Sequence, residues 1–137
     1  MLEEKGALPM SKWLKTLFLI HAVAAAIGGL ALFVVPGRAL GLLGWMPIDT
    51  VLSRVLGAAL LALAWGSWRG WRGATWERVA LLVEVEVAFS VLTTAALLYV
   101  GLAWRMNWYA FGLLAVFAAF AVAWVIALWQ VRRARER

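Results

Sequence analysis

Apolar residues in this chain form four long runs that short polar segments separate. The pattern predicts helices over about 13–35, 50–68, 77–104 and 108–131. A helix needs about 20 apolar residues to cross a hydrocarbon core about 30 Å thick, and each run is close to that length or longer. We therefore expect an all-α fold: one domain, residues 1–137, built as an integral membrane bundle of four transmembrane helices.

Turn and cap signals mark the boundary between the first two runs. Pro36 and Gly37 end the first run, because proline cannot continue a helix. Asp49 is the expected N-cap of the second helix. The connection between Gly37 and Ile48 is too apolar for a solvated loop and too short to span. We expect a short interfacial helix there, at the outer face of the membrane, with a lid over a cavity as the alternative.

Composition and charge agree with a membrane protein. Hydrophobic residues make up 66% of the 137, against 45–50% in typical soluble domains. The net charge of +6 does not indicate nucleic acid, since lysine and arginine lie at the ends of the apolar runs. Ten of these 13 residues fall on the side that holds both termini and three on the other. This bias predicts cytoplasmic N- and C-termini.

The same composition limits the chemistry that the chain can perform. Cysteine is absent and there is one histidine, which excludes disulfides, thiolate metal sites and histidine clusters. No nucleophile has a base placed beside it in its own segment, and no phosphate-binding glycine loop follows a strand. We therefore predict no catalytic residues, no metal and no cofactor, and we expect a protein that is not an enzyme.

Small residues recur at helical spacing on three of the four predicted helices. Such faces let helix backbones approach each other closely. Lipid tails are as apolar as leucine, so the burial of large apolar side chains does not drive helices together in a membrane. The predicted packing residues are Ala25 and Gly29 on the first helix, Ala58, Ala62 and Gly66 on the second, and Ala115, Ala119 and Ala123 on the fourth. The opposite flank of the fourth helix, with Phe117, Phe120 and Trp124, is expected to face lipid or a partner subunit.

Polar residues inside the apolar runs are the main candidates for function. By helix rise, His21, Glu84 and Glu86 each lie about 10–13 Å below the cytoplasmic interface. An ionised carboxylate at such a depth is costly and is expected to be paired, hydrated or protonated. Glu86 continues a polar stripe with Ser90 and Thr93, so we predict that it faces the bundle and pairs with His21. Glu84 points about 200° away and faces a second surface.

The pattern of Pro36, Leu40 and Leu43-Gly44, followed by Arg54 and Gly57, Glu84 and Glu86, and a last helix with Trp108, Phe117 and Phe120, resembles small bacterial four-helix inner-membrane proteins. These belong to domain-of-unknown-function families, some of them grouped near the DoxX-like proteins. The resemblance covers residues 12 to 131. It implies a multi-pass protein of the bacterial inner (plasma) membrane and carries over no activity.

Three functions follow from these observations. The first is a helix-packing subunit, which assembles with copies of itself or within a larger membrane complex. The second is a small oligomeric proton- or cation-coupled transporter that uses a buried glutamate with His21 as its partner. The third is a binding module for a lipophilic ligand or pigment, held between the helices under the Gly37–Ile48 segment.

Overall fold

Five α-helices follow one another along the chain in the computed structural model, which describes residues 9–103 and 108–135. They are α1 (Lys12–Val34), α2 (Pro36–Leu42), α3 (Thr50–Trp71), α4 (Trp76–Ala103) and α5 (Trp108–Arg135). Within these residues, the nearest approach to a strand is a single bridge between Pro9 and Thr75. The four long helices are long and apolar enough to cross a membrane. The all-α fold and the four helices predicted from the apolar runs are therefore confirmed.

The helix boundaries follow from the expected cap and break signals. Asp49 is the N-cap of α3, where its carboxylate accepts hydrogen bonds from the backbone N–H groups of Val51 and Leu52. Pro36 ends α1 and then opens α2 as its first residue, a position where a missing N–H costs nothing. The short helix expected between 37 and 48 forms only over its first half. The predicted end of the third span at residue 104 lies outside the described residues.

The four long helices form two closely packed pairs, α1 with α3 and α4 with α5. The first pair is tightest where Gly29 meets Gly57. A Cβ atom on Gly57 would lie 2.7 Å from the backbone nitrogen of Phe33 and 2.8 Å from the carbonyl oxygen of Gly29. Only glycine permits such a contact. Near the same level, Arg54 Nε donates a hydrogen bond to the carbonyl of Phe33 and fixes α3 to the end of α1.

The two pairs meet at the end of the bundle that carries the start of α1 and the end of α5; we call this the closed end. Its core contains Leu14, Leu17, Phe18, Trp76, Val79, Val83, Trp124 and Ala127. Phe18 packs directly on Gly70, where a Cβ would lie 2.5 Å from the ring. The opposite end, which carries α2, is called the open end. There the pairs separate, and a cavity replaces the core.

The predicted packing positions differ in their burial within this chain, between α1 on the one hand and α3 and α5 on the other. Ala25 and Gly29 are buried as expected, and Gly66 and Ala123 are half-buried. The remaining predicted positions are exposed on this single chain: Ala58, Ala62, Ala115 and Ala119. The buried face of α3 instead contains Ser53, Gly57, Leu60, Ala64, Ser67 and Gly70. Whether the exposed alanines pack against a second copy stays a prediction.

The aromatic flank of α5 faces the bundle rather than lipid, which corrects the sequence-based expectation. Trp124 is fully buried and packs edge-on against Phe18, with ring centroids 4.9 Å apart. Phe120 is half-buried and packs against His21. The expectation was wrong because large aromatic rings fill the space between the two helix pairs, where small residues would leave a void.

Candidate functional site

Three polar side chains from three helices meet at the level where the closed end gives way to the cavity. His21 on α1 lies with Nδ1 2.9 Å from Ser67 Oγ on α3. Ser67 Oγ in turn lies 2.7 Å from Glu86 Oε1 on α4, and His21 Nδ1 is 3.3 Å from the same carboxylate oxygen. All three residues are buried, with 4%, 0% and 2% of His21, Ser67 and Glu86 exposed. We call this group the polar cluster.

The hydrogen positions in this cluster follow from counting donors. A serine hydroxyl has one hydrogen, and that of Ser67 is directed at Glu86 Oε1. With Glu86 ionised, the contact between His21 Nδ1 and Ser67 Oγ places a hydrogen on Nδ1, which donates to the serine oxygen. Nε2 is then the ring nitrogen left for another partner. It accepts a hydrogen bond when the imidazole is neutral and donates one when the ring is charged.

This arrangement differs from a serine hydrolase triad. In a triad the histidine lies between the two other groups, with the serine at Nε2 and the carboxylate at Nδ1. Here Ser67 and Glu86 approach the same nitrogen, so the imidazole does not lie between them and is not placed to act as a general base on Ser67. The geometry suits a hydrogen-bonded chain that runs from His21 through Ser67 to Glu86.

Aromatic rings surround the histidine on the side of α5. The ring centroid of Phe120 lies 4.8 Å from that of His21, and the centroid of Trp124 lies 5.7 Å away, both nearly perpendicular to the imidazole. Edge-to-face packing of this kind fixes the orientation of a ring. The imidazole therefore has little freedom to turn, and its two nitrogens keep distinct surroundings.

The other polar candidates are distributed around this cluster. Thr93 is half-buried and lines the cavity. Ser90 is buried, and its backbone carbonyl accepts a hydrogen bond from the Thr94 hydroxyl. Glu84 is exposed on the outer side of α4, as its 200° offset from Glu86 requires. The structure thus brings His21 and Glu86 together, and it separates Glu84 from them.

Sequence reasoning missed Ser67, which links the other two residues. It lies in a run of small and aromatic residues, where Gly66 beside it was assigned to the packing face instead. The sequence signal for Ser67 is its distance of fourteen residues, or about four helical turns, from Ser53, because this spacing places both serines on one face of the helix. These two serines share the buried face of α3 with Leu60.

Several buried polar atoms at this level have no hydrogen-bond partner among the described residues. They are Glu86 Oε2, Ser90 Oγ and the indole nitrogen of Trp124. Buried polar groups in native proteins are nearly always paired with protein, water or a ligand. The unpaired Oε2 is the most costly of the three if the carboxylate is ionised, because one of its oxygens then lacks any donor.

A cavity of about 490 Å³ opens above the polar cluster and extends to the open end of the bundle. All four long helices contribute to its wall. His21 and Phe120 lie at its deep end, and Leu52 and Asp49 lie near its mouth. Apart from His21, Thr93, Ser53 and Asp49, the residues that line it are apolar. On α1 they include the small residues Ala24, Ala25, Gly28 and Ala31, which leave room beside the helix backbone.

The connection that follows α1 forms part of the cavity wall near its mouth. Ala39 and Leu40 of α2 line it, as do Leu43, Trp45 and Pro47 from the segment between α2 and α3. The apolar residues that made this connection unsuitable as a solvated loop therefore face the cavity. This placement matches the alternative of a lid.

A second, smaller cavity of about 380 Å³ lies in the seam between α3 and α4. Glu86 lines it together with Ala62, Gly66, Leu82 and Phe89. His21 thus borders the larger cavity and Glu86 the smaller one. Ser67 lies between them.

Comparisons with protein-family models, with curated proteins and with solved structures found no match for this chain. The resemblance to DoxX-like and related inner-membrane families stays a prediction. Over residues 9–103 and 108–135, no group of three or more His, Asp or Glu side chains is placed to hold a metal ion.

Proposed function

We propose that this protein is a multi-pass membrane protein that binds a lipophilic molecule in the larger cavity. The observation that carries the proposal is an apolar cavity, open at one end of the bundle, with a hydrogen-bonded polar cluster at its deep end. Small-molecule sites in proteins have volumes of about 300–1,000 Å³ and combine apolar walls with a few polar groups. The cavity matches that description in volume and lining.

The shape of the cavity indicates the kind of ligand. Its lining on α1 extends from His21 to Ala31, about 15 Å along the helix axis. On α3 it extends from Leu60 to Leu52, about 12 Å. A molecule with an elongated apolar body therefore fits, with one polar head against His21 Nε2. Thr93 supplies a hydroxyl part of the way along.

The proposed setting is the bacterial inner membrane, with both termini in the cytoplasm and α2 at the outer interface. The excess of lysine and arginine at the closed end supports this orientation. The cavity would then open toward the outer half of the bilayer, and an apolar ligand would reach it from the lipid.

A packing role as a homo-oligomer or a subunit of a larger complex is the second candidate, and Glu84 favours it. This glutamate is exposed on the single chain although helix rise places it about 10 Å inside the span. A carboxylate directed at lipid is costly, and a second subunit that covers it would remove that cost. The exposed Ala58 and Ala62 offer a surface for such a contact. A packing role and ligand binding are compatible.

Native mass spectrometry of the purified protein tests both candidates in one measurement, with decan-1-ol as a neutral probe ligand. We expect one probe molecule, or one co-purified lipophile, per chain. The number of chains per particle reports the oligomeric state. The variant Ala24→Phe places a ring in the cavity wall and should lower probe occupancy at least about tenfold.

Ala96→Phe is the matched control, because Ala96 is likewise an exposed alanine of a long helix but lies outside the cavity. It should bind decan-1-ol as the natural chain does. Equal occupancy in both variants would place bound probe on the lipid-facing surface and refute the binding function.

A further inference from the structure

The polar cluster connects two cavities, a property that simple ligand binding does not require. His21 lines the larger cavity, Glu86 lines the smaller one, and Ser67 bonds to both. A hydroxyl with one donor and two acceptor sites can reverse the direction of both of its hydrogen bonds. A chain of carboxylate, hydroxyl and imidazole can therefore pass a proton from one end to the other.

We infer that His21, Ser67 and Glu86 form a proton relay through which a lipophile with an acidic head, such as a long-chain carboxylic acid, exchanges its proton with Glu86. The inference rests on the proposed binding function and assigns the chemical class of the ligand. The relay has one end in each cavity.

The exchange balances in atoms and charge. At the start His21 Nδ1 donates to Ser67, Ser67 donates to Glu86 Oε1, and Nε2 holds a lone pair. The ligand O–H bond breaks and an Nε2–H bond forms. The Nδ1 proton then passes to Ser67 Oγ as the serine proton passes to Glu86 Oε1. The products are a ligand carboxylate, a neutral imidazole with its hydrogen on Nε2, and a protonated Glu86.

The surroundings of the cluster favour a proton exchange that leaves the number of buried charges unchanged. Among the described residues that contact His21, the one other titratable group is Glu86 from α4; α3 presents Ser67, and α5 presents Phe120 and Trp124. The site holds one negative charge before and after the step, so no additional ion is buried. The transfer also neutralises a carboxylate whose Oε2 is unpaired among the described residues.

A single histidine in the chain makes the relay directly observable. Labelling with ¹⁵N-histidine gives one pair of imidazole signals, which report the nitrogen that carries the hydrogen. Without ligand, and with decan-1-ol, we expect a protonated Nδ1 and an unprotonated Nε2. Decanoic acid should reverse the pair and should produce an infrared carboxylic-acid band that Glu86→Gln removes.

Two variants separate the relay from simple binding. Ser67→Ala removes the bridging hydroxyl; it should bind decanoic acid and lose the reversal. Ser90→Ala is the matched control, since Ser90 is likewise a buried serine but lies outside the polar cluster and lines neither cavity. This control should keep the reversal.

Binding of decanoic acid without reversal in the natural chain would overturn the relay and leave the binding function intact. Binding of decan-1-ol alone would also overturn the relay. Failure of both probes to bind, measured by native mass spectrometry, would overturn both proposals together.

Discussion

The closed and open ends of this bundle are built from the same four long helices, yet residues of different size face each other at the two ends. At the closed end Phe18, Trp76 and Trp124 fill the space between the helix pairs. At the open end the facing positions on α1 are Ala24, Gly28 and Ala31, and the space stays empty of protein. Large aromatic residues therefore hold the pairs together at one end, and small residues allow a cavity at the other.

The polar cluster lies at the boundary between these two regions, and its position explains how three buried polar groups are tolerated. The closed end contributes Trp124, whose ring packs edge-on against the imidazole of His21. The open end gives one side of the imidazole access to a cavity. A polar group enclosed on all sides would have to be fully paired, whereas one at the wall of a cavity can bind a ligand.

The largest expected effect comes from removing an aromatic residue at the closed end. Trp124→Ala should lower the free energy of unfolding by about 3–5 kcal/mol, because it removes a fully buried indole ring from the core and leaves a void. Trp65, which is 65% exposed on α3, is the matched control. Trp65→Ala should change the same quantity by less than about 0.5 kcal/mol. Unfolding in mixed detergent micelles, followed by circular dichroism, provides the measurement.

Comparable losses in the two tryptophan variants would contradict this distinction between the ends. It would mean that both indole rings stabilise the protein through contacts with the detergent or lipid phase. The core at the closed end would then contribute no more to the free energy of unfolding than the outer surface of the bundle.

The sequence was sufficient for the helices and for the pairing of His21 with Glu86. The rise per residue of a helix gives the depth of His21 and of Glu86 in the membrane, and a buried charge needs a partner at its own depth. These two residues can therefore be paired without knowledge of how the helices pack. Which side of a helix faces the core was harder to predict. In a membrane, apolar residues face both lipid and core, so polarity does not mark the inside of α5. On α3 the inside is marked by the two buried serines, Ser53 and Ser67.

Ala58 and Trp124 illustrate the consequence. An alanine every four residues on α3 indicated a packing face, and the structure buries the neighbouring positions Gly57 and Ser67 instead. The aromatic flank of α5 is expected to face lipid or a partner subunit, and its residue Trp124 lies in the core instead. The small residues that leave room for the cavity, such as Ala24 and Gly28, are visible in the sequence, but the residues that face them across the bundle depend on how the helix pairs pack.

A second prediction concerns the close contact between α1 and α3, the two helices of one pair, which forms part of the cavity wall. Gly57→Ala should cost about 1–3 kcal/mol, since its methyl group would meet backbone atoms of α1 that cannot move without parting the helices. Gly112→Ala on α5 is the matched control, because nothing lies within 4 Å of its Cβ position. This variant should be neutral or stabilised by up to about 1 kcal/mol from helix propensity alone.

The same micelle titration measures both glycine variants. If Gly57→Ala proved as stable as Gly112→Ala, the close contact of α1 with α3 would not be what supports the cavity wall. The connection around α2 would then be the better candidate for that role.

The smallest effect is expected at the mouth of the cavity, where Asp49 caps α3. Asp49→Ala should cost about 1 kcal/mol, because the N–H groups of Val51 and Leu52 lose their acceptor. Asp49→Asn keeps a capping oxygen and should retain the stability of the natural chain. Hydrogen exchange at Val51 and Leu52 should rise in the alanine variant alone, with no change at the closed end. Faster exchange at Phe18 or Trp124 as well would show that the two ends unfold as one unit, and that the closed core is not independent of the cavity above it.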